Sequence, residues 1–199
     1  MPNLDEYLKI KRCPHCSIDT PNLSGVMSEF TTKADDLTNE RQWRVYNCRR
    51  CGGVVTAFCY KNNREVRRIY PGIETVDEIL PLKVKTFLQQ AIDSAFAPAG
   101  SIMLCASAVD AMLKEKGLTE GSLYTRINKA VTEGLLTNDM ATWAHQVRLD
   151  ANDQRHSEVN ADLPTVNEAK QVIEFTRTLA EFLFVLPSKV KHGIEATKL

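Results

Sequence analysis

The stretch WAHQVRLDANDQRH, residues 143–156, carries the pattern that decides how the second half of the chain folds. At about 100° per residue, Arg148, Asn152 and His156 form a polar stripe along one edge of a helix, and His145 falls within its angular spread. An adjoining face of this helix is apolar and can pack on a helical core. Its residues are Met140, Trp143, Ala144, Val147 and Ala151. The polar stripe indicates either an ordinary solvated surface or a site that binds a polar ligand.

Further helical patterns lie on both sides of this stretch, from Thr75 onward. The predicted helices cover 81–97, 98–117, 122–134, 137–156 and a closing segment from Pro164 to just before Pro187. The second of them is apolar on most sides and ends at Gly117, in the place of a C′ glycine. Asp110 within it is either a polar residue on the helix rim or a buried acid with a partner. The pattern therefore predicts a bundle of five helices.

Strand patterns fill the first part of the chain instead. Alternating and β-branched or aromatic residues predict strands at 24–32, 42–47, 54–61 and 65–70. Asn62-Asn63 lies between the last two, where asparagine tolerates the positive φ of a tight hairpin turn. These strands predict a small antiparallel sheet whose core is too thin to be stable alone.

Two C-x2-C pairs, Cys13-Pro-His-Cys16 and Cys48-Arg-Arg-Cys51, are the most specific motif in the chain. Each pair can present two thiolates from a tight turn to one tetrahedral zinc ion, and the 31 residues between them fit two turns of different hairpins. The alternatives are two disulfides, which a reducing cytoplasm disfavours, and a redox-active pair. His15 is either a turn residue or a metal ligand in place of one of the cysteines. Cys59 and Cys105 are predicted to be buried.

Basic and aromatic residues alternate along the predicted sheet. They are Arg41, Arg44, Arg49, Arg50, Lys61, Arg64, Arg67 and Arg68, with Trp43, Tyr46, Tyr60 and Tyr70. Such a surface can hold single-stranded nucleic acid by phosphate attraction and base stacking. Alternatively, Arg49 and Arg50 compensate the negative charge of a zinc ion bound by four thiolates.

Length and charge support a division into two parts. Among the 199 residues, 43% are hydrophobic, which is enough for a real core. Residues 1–70 carry 12 Lys and Arg against 8 Asp and Glu, whereas residues 71–199 carry 13 against 17. We expect an α+β protein with a zinc ribbon at 1–72 and a helical bundle at 73–199. The chain shows no membrane span and no signal-peptide pattern at its start, so we expect no membrane partner and a cytoplasmic location.

The order of these parts resembles one bacterial family. CPHC and CRRC, then Tyr70-Pro71, then SIMLCASAVDAMLKEKG at 101–117 and finally VRLDANDQRH at 147–156 are similar to a branch of the HEPN superfamily (higher eukaryotes and prokaryotes nucleotide-binding). That branch is catalogued as a domain of unknown function and occurs alone or on type I restriction subunits. The resemblance implies a HEPN-like bundle, a homodimer, and partners in a defence or restriction system.

The resemblance also implies candidate catalytic residues. Many HEPN proteins are metal-independent ribonucleases in which an arginine and a histidine from each subunit meet at a shared cleft. The histidine corresponds to His156 and its polar neighbour to Asn152. The arginine of the nuclease form corresponds to Ala151 in this chain, so the pattern departs there. Arg148 lies on the same stripe as His156 and can take its place, whereas Arg155 is expected to point elsewhere.

Two functions follow from these observations. In the first, the protein binds RNA or cleaves it: His156 acts as general acid or base, Arg148 stabilises the phosphorane charge, and Asn152 orients the histidine or the ribose. The zinc ion is then structural. In the second, the protein is a non-catalytic dimeric adaptor or regulatory partner whose helical part is a docking surface. Whether the chain is an enzyme depends on the departure at Ala151.

Overall fold

A computed structural model describes residues 2–72, 75–156 and 162–197. The chain divides into two compact units, Met1–Glu74 and Thr75–Leu199. The first unit contains a five-stranded antiparallel sheet and the second contains helices, which confirms the α+β fold class.

The sheet is built around the two longest strands. Its strands are β1 (Leu23–Gly25), β2 (Phe30–Thr32), β3 (Arg41–Cys48), β4 (Val54–Tyr60) and β5 (Arg68–Tyr70). All pairings are antiparallel, in the order β1-β3-β4-β5, and β2 pairs with the first part of β3. The single strand predicted at 24–32 is therefore wrong. Beside Gly25, at the end of β1, the side chain of Arg44 passes 2.8 Å from the position that a Cβ would occupy and pairs with Glu29.

The turn between β4 and β5 also differs from its prediction. The amide of Asn63 donates to the carbonyl oxygen of Tyr60 (2.9 Å), and the side chain of Asn63 accepts from the amide of Glu65 (2.8 Å). Neither asparagine is among the residues with positive φ. The side-chain hydrogen bond of Asn63 holds the turn without a left-handed backbone.

The inner face of the sheet packs on the N-terminal segment of the chain. Its buried core includes Leu4, Leu8, Leu23, Tyr46, Val55, Ala57, Cys59 and Val66. Tyr46 is fully buried and its hydroxyl donates to the carbonyl oxygen of Asp5 (2.8 Å). Burial raises the pKa of Tyr46 to about 12. Tyr46 is therefore a core residue and not part of an aromatic surface, contrary to the interpretation from sequence.

In the parts of the second unit that the structure describes, there are five helical rods. They are α1 (Leu82–Asp93), α2 (Pro98–Glu115), α3 (Leu123–Thr132), α4 (Asn138–His156) and a last rod made of α5 (Val166–Ala180), a π-helical turn (Glu181–Val185) and α6 (Leu186–Ala196). Helix α2 is the central one and packs against all of α1, α3, α4 and α5. Gly117 ends it with φ +92°, and the amide of Leu118 donates to the carbonyl oxygen of Leu113. No helix within the described ranges is long and apolar enough to cross a membrane.

The last rod continues where the sequence predicts its end. It begins after Thr165, whose side chain and that of Glu168 form a reciprocal capping box, so Pro164 precedes the helix and does not open it. The rod passes through Pro187, which lies in the first turn of α6 directly after the π-helical turn. A widened turn of this kind accommodates a residue that lacks an amide donor.

The face that α4 turns to the core is made of small residues. Ala141, Ala144, Val147 and Ala151 are buried in the helical core. Trp143 is 48% exposed and stacks on Phe175 with ring centroids 4.6 Å apart, so its prediction as a core residue is wrong. Its position lies about 100° from that of Ala144, which places the large ring at the rim of the packed face.

A four-cysteine centre and an arginine groove

The two C-x2-C pairs come together at one end of the sheet. Sulfur atoms of Cys13, Cys16, Cys48 and Cys51 all lie within 4.8 Å of one another. All six cysteines of the chain are free, and the sulfur atoms of Cys13 and Cys51 are 3.9 Å apart, so no disulfide joins the two turns in this structure. A tetrahedron of thiolates around a metal at about 2.3 Å has edges of about 3.8 Å. The four residues therefore fit a metal ion.

Each pair sits on a tight turn whose backbone supports the sulfur atoms. In the first turn the amide of Ser17 donates to the carbonyl oxygen of Cys13 (2.9 Å), and Ser17 has φ 55°. In the second the amide of Gly52 donates to the carbonyl oxygen of Cys48 (2.8 Å), with φ +73°. Amides also point at sulfur, because those of His15 and Gly53 lie 3.4 Å from Cys13 Sγ and Cys51 Sγ respectively.

His15 joins the two turns without belonging to the sulfur cluster. Its Nε2 lies 2.8 Å from the carbonyl oxygen of Val54, immediately after the second turn. Its ring covers Gly53 so closely that a Cβ there would be 2.4 Å from the imidazole. Gly53 is therefore required by contact with His15, which the spacing of the cysteines alone does not reveal.

Burial and hydrogen bonding give the thiols of this centre different pKa values. Burial raises the pKa of Cys16 to about 12 and also raises that of Cys13. Burial acts on Cys48 in the same direction, but hydrogen bonds from the backbone of Cys51 and Arg50 and from the other thiols outweigh it and bring its pKa to about 7. Of these three thiols, Cys48 is the readiest to become a thiolate and to bind a cation.

The second unit contains a groove of about 590 Å³ bordered by three helices. Helix α2 contributes Met103, Ala106 and Ser107, the start of α3 contributes Ser122, Leu123 and Tyr124, and α4 contributes Arg148, Ala151, Asn152 and Arg155. We call these residues the arginine groove. Its lining contains two arginines and no carboxylate, although the unit as a whole has more acidic than basic residues.

Arg148 is held in the groove by an aromatic ring. Its guanidinium carbon lies 5.4 Å from the centroid of the Tyr124 ring, and the His145 ring lies tilted against the same ring with the centroids 4.8 Å apart. Nε of Arg148 is buried and has no hydrogen-bond partner within the described residues. Burial, and then the charge of Arg148, lower the pKa of His145, whose Nε2 lies 3.1 Å from the side-chain oxygen of Asn128. The lowered pKa favours the neutral form of the His145 imidazole beside the guanidinium of Arg148.

The groove contains only part of the polar stripe predicted from sequence. Arg148 and Asn152 border it, whereas His156 is exposed at the end of α4 and does not. Arg155 does border the groove, so its expected orientation away from the stripe is wrong: seven residues are nearly two full helical turns, which returns Arg155 to the side of Arg148. Ser122 and Tyr124 come from another helix, and no pattern in the sequence links them to α4.

The basic residues of the sheet divide into groups with different surroundings. Arg44 and Arg64 both pair with Glu29, and the Arg64 hydrogen bonds lower the pKa of this carboxyl group. Lys61 pairs with Glu40. Arg49 and Arg50 are exposed in the second cysteine turn. The remaining members, Arg41, Arg67 and Arg68, lie together beside Phe58, Tyr60 and Tyr70.

A family model described as a domain of unknown function (DUF4145) matches residues 63–197. The chain belongs to this family. The match covers the whole arginine groove and begins after the second cysteine pair. Curated proteins and solved structures yield no match to the chain.

Proposed function

We propose that this chain is a HEPN-type RNA-binding protein, in which the arginine groove of the helical unit holds the phosphate backbone of RNA. The single observation that carries this proposal is the pair Arg148 and Arg155 in a groove without a carboxylate. Phosphate contacts from arginine supply most of the affinity of nucleic-acid binding, and the forked guanidinium suits phosphate oxygens.

Three further features of the groove suit a phosphodiester strand. The N-terminus of α3, capped by Ser122, opens onto the groove and adds the partial positive charge of the helix end. Asn152 borders the groove and offers an amide donor and acceptor to a sugar or phosphate. The ring of Tyr124 is half exposed, so it can take a base beside Arg148.

RNA binding is tested by the affinity of the full chain for a fluorescein-labelled 15-nucleotide oligouridine, measured by anisotropy. We expect Arg148→Ala and Arg155→Ala each to weaken binding by about 10-fold or more, as expected for loss of a hydrogen bond to a charged group. The slope of log affinity against log salt should fall by about 0.7 for each. Lys129→Ala is the matched control, because Lys129 is exposed on α3 outside the groove and pairs with Glu133. Equal affinities for all four proteins would exclude this function.

Cleavage of the bound RNA is a second candidate, supported by the exposure of His156 on the same helix as Arg148. The two residues are eight positions apart, about 12 Å along the helix axis, and His156 lies outside the groove. A histidine must come within hydrogen-bond reach of the reacting oxygen. In this candidate function, cleavage takes Arg148 from one chain and His156 from a second chain of a homodimer.

A complementation assay tests this cleavage. We expect His156→Ala to reduce RNA cleavage by roughly 100- to 10,000-fold with RNA binding unchanged. Mixing inactive Arg148→Ala and His156→Ala chains should restore about a quarter of the wild-type rate, because half of the dimers contain both variants and each has one intact site. If the mixture stays inactive while both variants bind each other, cleavage does not occur across the subunits.

A dimeric adaptor is the alternative, and α6 is the observation that favours it. No residue of α6 is buried, and an apolar stripe along it is exposed at Leu186, Val190 and Ile194. A partner helix can cover such a stripe. We expect a dimer by light scattering that Val190→Asp reduces to a monomer, whereas Lys191→Asp leaves it unchanged. A partner from a defence or restriction system is the kind that the HEPN resemblance implies.

The metal at the four-cysteine centre is, in this proposal, a structural zinc ion. Zinc accepts four thiolates in a tetrahedral arrangement, and a site with four protein ligands has no open position for substrate. Six free thiols in one chain agree with a reducing compartment, for which we propose the cytoplasm. Zinc would join the two cysteine turns, while the chemistry of RNA binding belongs to the helical unit.

A further inference from the structure

The outer face of the sheet in the first unit is covered by aromatic rings. Strand alternation places Trp43 and Phe58 opposite each other on this face, with Phe30 and Arg68 at the two ends of the same row. The neighbouring row pairs Arg41 with Tyr60. We call the surface formed by Arg41, Trp43, Phe58, Tyr60, Arg67, Arg68 and Tyr70 the outer sheet face.

The rings on this face form one connected layer. Centroids of Trp43 and Phe58 are 4.7 Å apart, those of Trp43 and Tyr70 are 6.1 Å apart in a stacked arrangement, and those of Phe58 and Tyr60 are 6.0 Å apart. Phe58 is buried beneath its neighbours, while Tyr60 and Tyr70 are 44% and 41% exposed. The layer thus has a packed base and two accessible rings.

The arginines of the face keep their charge uncompensated. Arg41 lies over the Phe58 ring at 5.0 Å, and its buried Nε has no hydrogen-bond partner in the described part of the chain. Arg68 donates to the hydroxyl of Tyr70 (3.5 Å). Among residues 2–72, 75–156 and 162–197, neither of these arginines nor Arg67 forms a salt bridge. They line a concavity of about 280 Å³ with three aromatic residues and no carboxylate.

We propose that the outer sheet face binds single-stranded nucleic acid. Its three guanidinium groups match the phosphates of a strand, and the exposed tyrosine rings match unstacked bases, which every nucleotide offers. A duplex keeps its bases stacked on each other and cannot use these rings. This site lies in a different unit from the arginine groove. Binding at the outer sheet face can therefore be tested independently of RNA binding in the groove.

The test uses the full chain and the emission of a single tryptophan. The chain has two tryptophans, so Trp143→Phe leaves Trp43 as the reporter of the outer sheet face. We expect 15-nucleotide oligothymidine and oligouridine to quench Trp43, and the matching duplex to leave it unchanged. A difference between oligouridine and oligodeoxyuridine of the same length identifies a contact to the 2′-hydroxyl.

Two pairs of substitutions separate specific binding from general charge. Replacing both Arg67 and Arg68 by alanine should weaken single-strand binding by more than 10-fold. Replacing both Arg49 and Arg50 by alanine removes the same charge elsewhere in the unit, and this change should alter the affinity less than 3-fold. Tyr60→Ala should lower the affinity for the single strand by roughly 5- to 150-fold, the range expected for loss of one stacked base. Circular dichroism must show that each variant retains its fold.

Three outcomes overturn the proposal. The first is an equal loss of affinity in the two arginine pairs, and the second is duplex binding as tight as that of the single strand. The third is Trp43 emission that changes with protein concentration and not with nucleic acid, which would make a second copy of the chain the occupant. Arg148→Ala included in the same titration shows whether the groove and this face bind separately.

Discussion

Arg126 on α3 and Asp110 on α2 form the ion pair that fixes one wall of the arginine groove. Nε of Arg126 donates to Oδ1 of Asp110 (2.9 Å), and the guanidinium also donates to the carbonyl oxygen of Thr119 (3.3 Å). The side chain of Arg126 is nearly fully buried, at 6% exposure of the residue. Arg126 is hydrogen-bonded to the loop that precedes Ser122, so this ion pair fixes the start of α3. It thereby fixes the position at which Tyr124 contacts Arg148.

Replacing Arg126 should therefore destabilise the helical unit. We expect Arg126→Leu to lower the free energy of unfolding by about 3 kcal/mol, the lower end for breaking a buried pair, since Asp110 keeps its contact with Lys114 (2.6 Å). Urea unfolding followed by circular dichroism measures the change. Lys129→Leu, on the same helix but exposed, should stay within about 0.5 kcal/mol of wild type. A similar value for both variants would show that the ion pair does not hold α3.

The four-cysteine centre should contain one zinc ion per chain. Metal analysis of protein purified without chelator measures this directly. Cys13→Ser should unfold residues 1–72 and leave the helical unit largely helical, because the two units have separate cores. One cooperative loss of all helix on metal removal would contradict the separation, and protein without zinc would contradict the site.

Zinc should be lost as the pH falls below about 7. A metal-bound thiolate must release its proton, so protons compete with zinc for the same sulfur atoms. The Cys48 thiol has a pKa near 7 and burial holds that of Cys16 at about 12, so at pH 5 both of these thiols bind protons readily. Affinity measured against a chromophoric chelator should drop steeply between pH 7 and 5. A flat profile would mean that thiolates are not the ligands.

His15 and Gly53 should act as one unit in metal binding. His15→Ala removes the hydrogen bond to Val54, and Gly53→Ala places a methyl group where the imidazole lies, so both changes separate the two turns. We expect each to weaken zinc binding, and the double variant to be no weaker than the worse single one. Additive losses would show that the histidine and glycine act separately. His192→Ala, on exposed α6, is the control.

The sequence predicted most of the fold because its signals are local. Helix periodicity and the glycine at 117 depend on neighbouring residues, and the structure confirms them. The C-x2-C pairs are equally local, and the structure brings their four sulfur atoms together. The predictions that failed concern features that depend on tertiary contacts. The close approach of Arg44 to Gly25 at the end of β1 and the π-helical turn directly before α6, which contains Pro187, are two examples.

The groove was only half predictable for the same reason. Arg148 and Asn152 follow from helical spacing, and Arg155 would have followed from a stricter use of that spacing. Tyr124 enters from α3, whose placement rests on Arg126 and Asp110. No local pattern in the sequence connects those three residues with α4.

The buried Nε–H of Arg148 offers the most direct test of RNA binding in the groove. In a ¹⁵N-labelled chain, its NMR signal can be assigned by its disappearance in Arg148→Lys. Titration with an eight-nucleotide oligouridine should shift this signal, because a phosphate would then contact the guanidinium. If RNA leaves the Arg148 signal in place and shifts only that of Arg41 on the outer sheet face, the helical unit does not bind RNA in this groove.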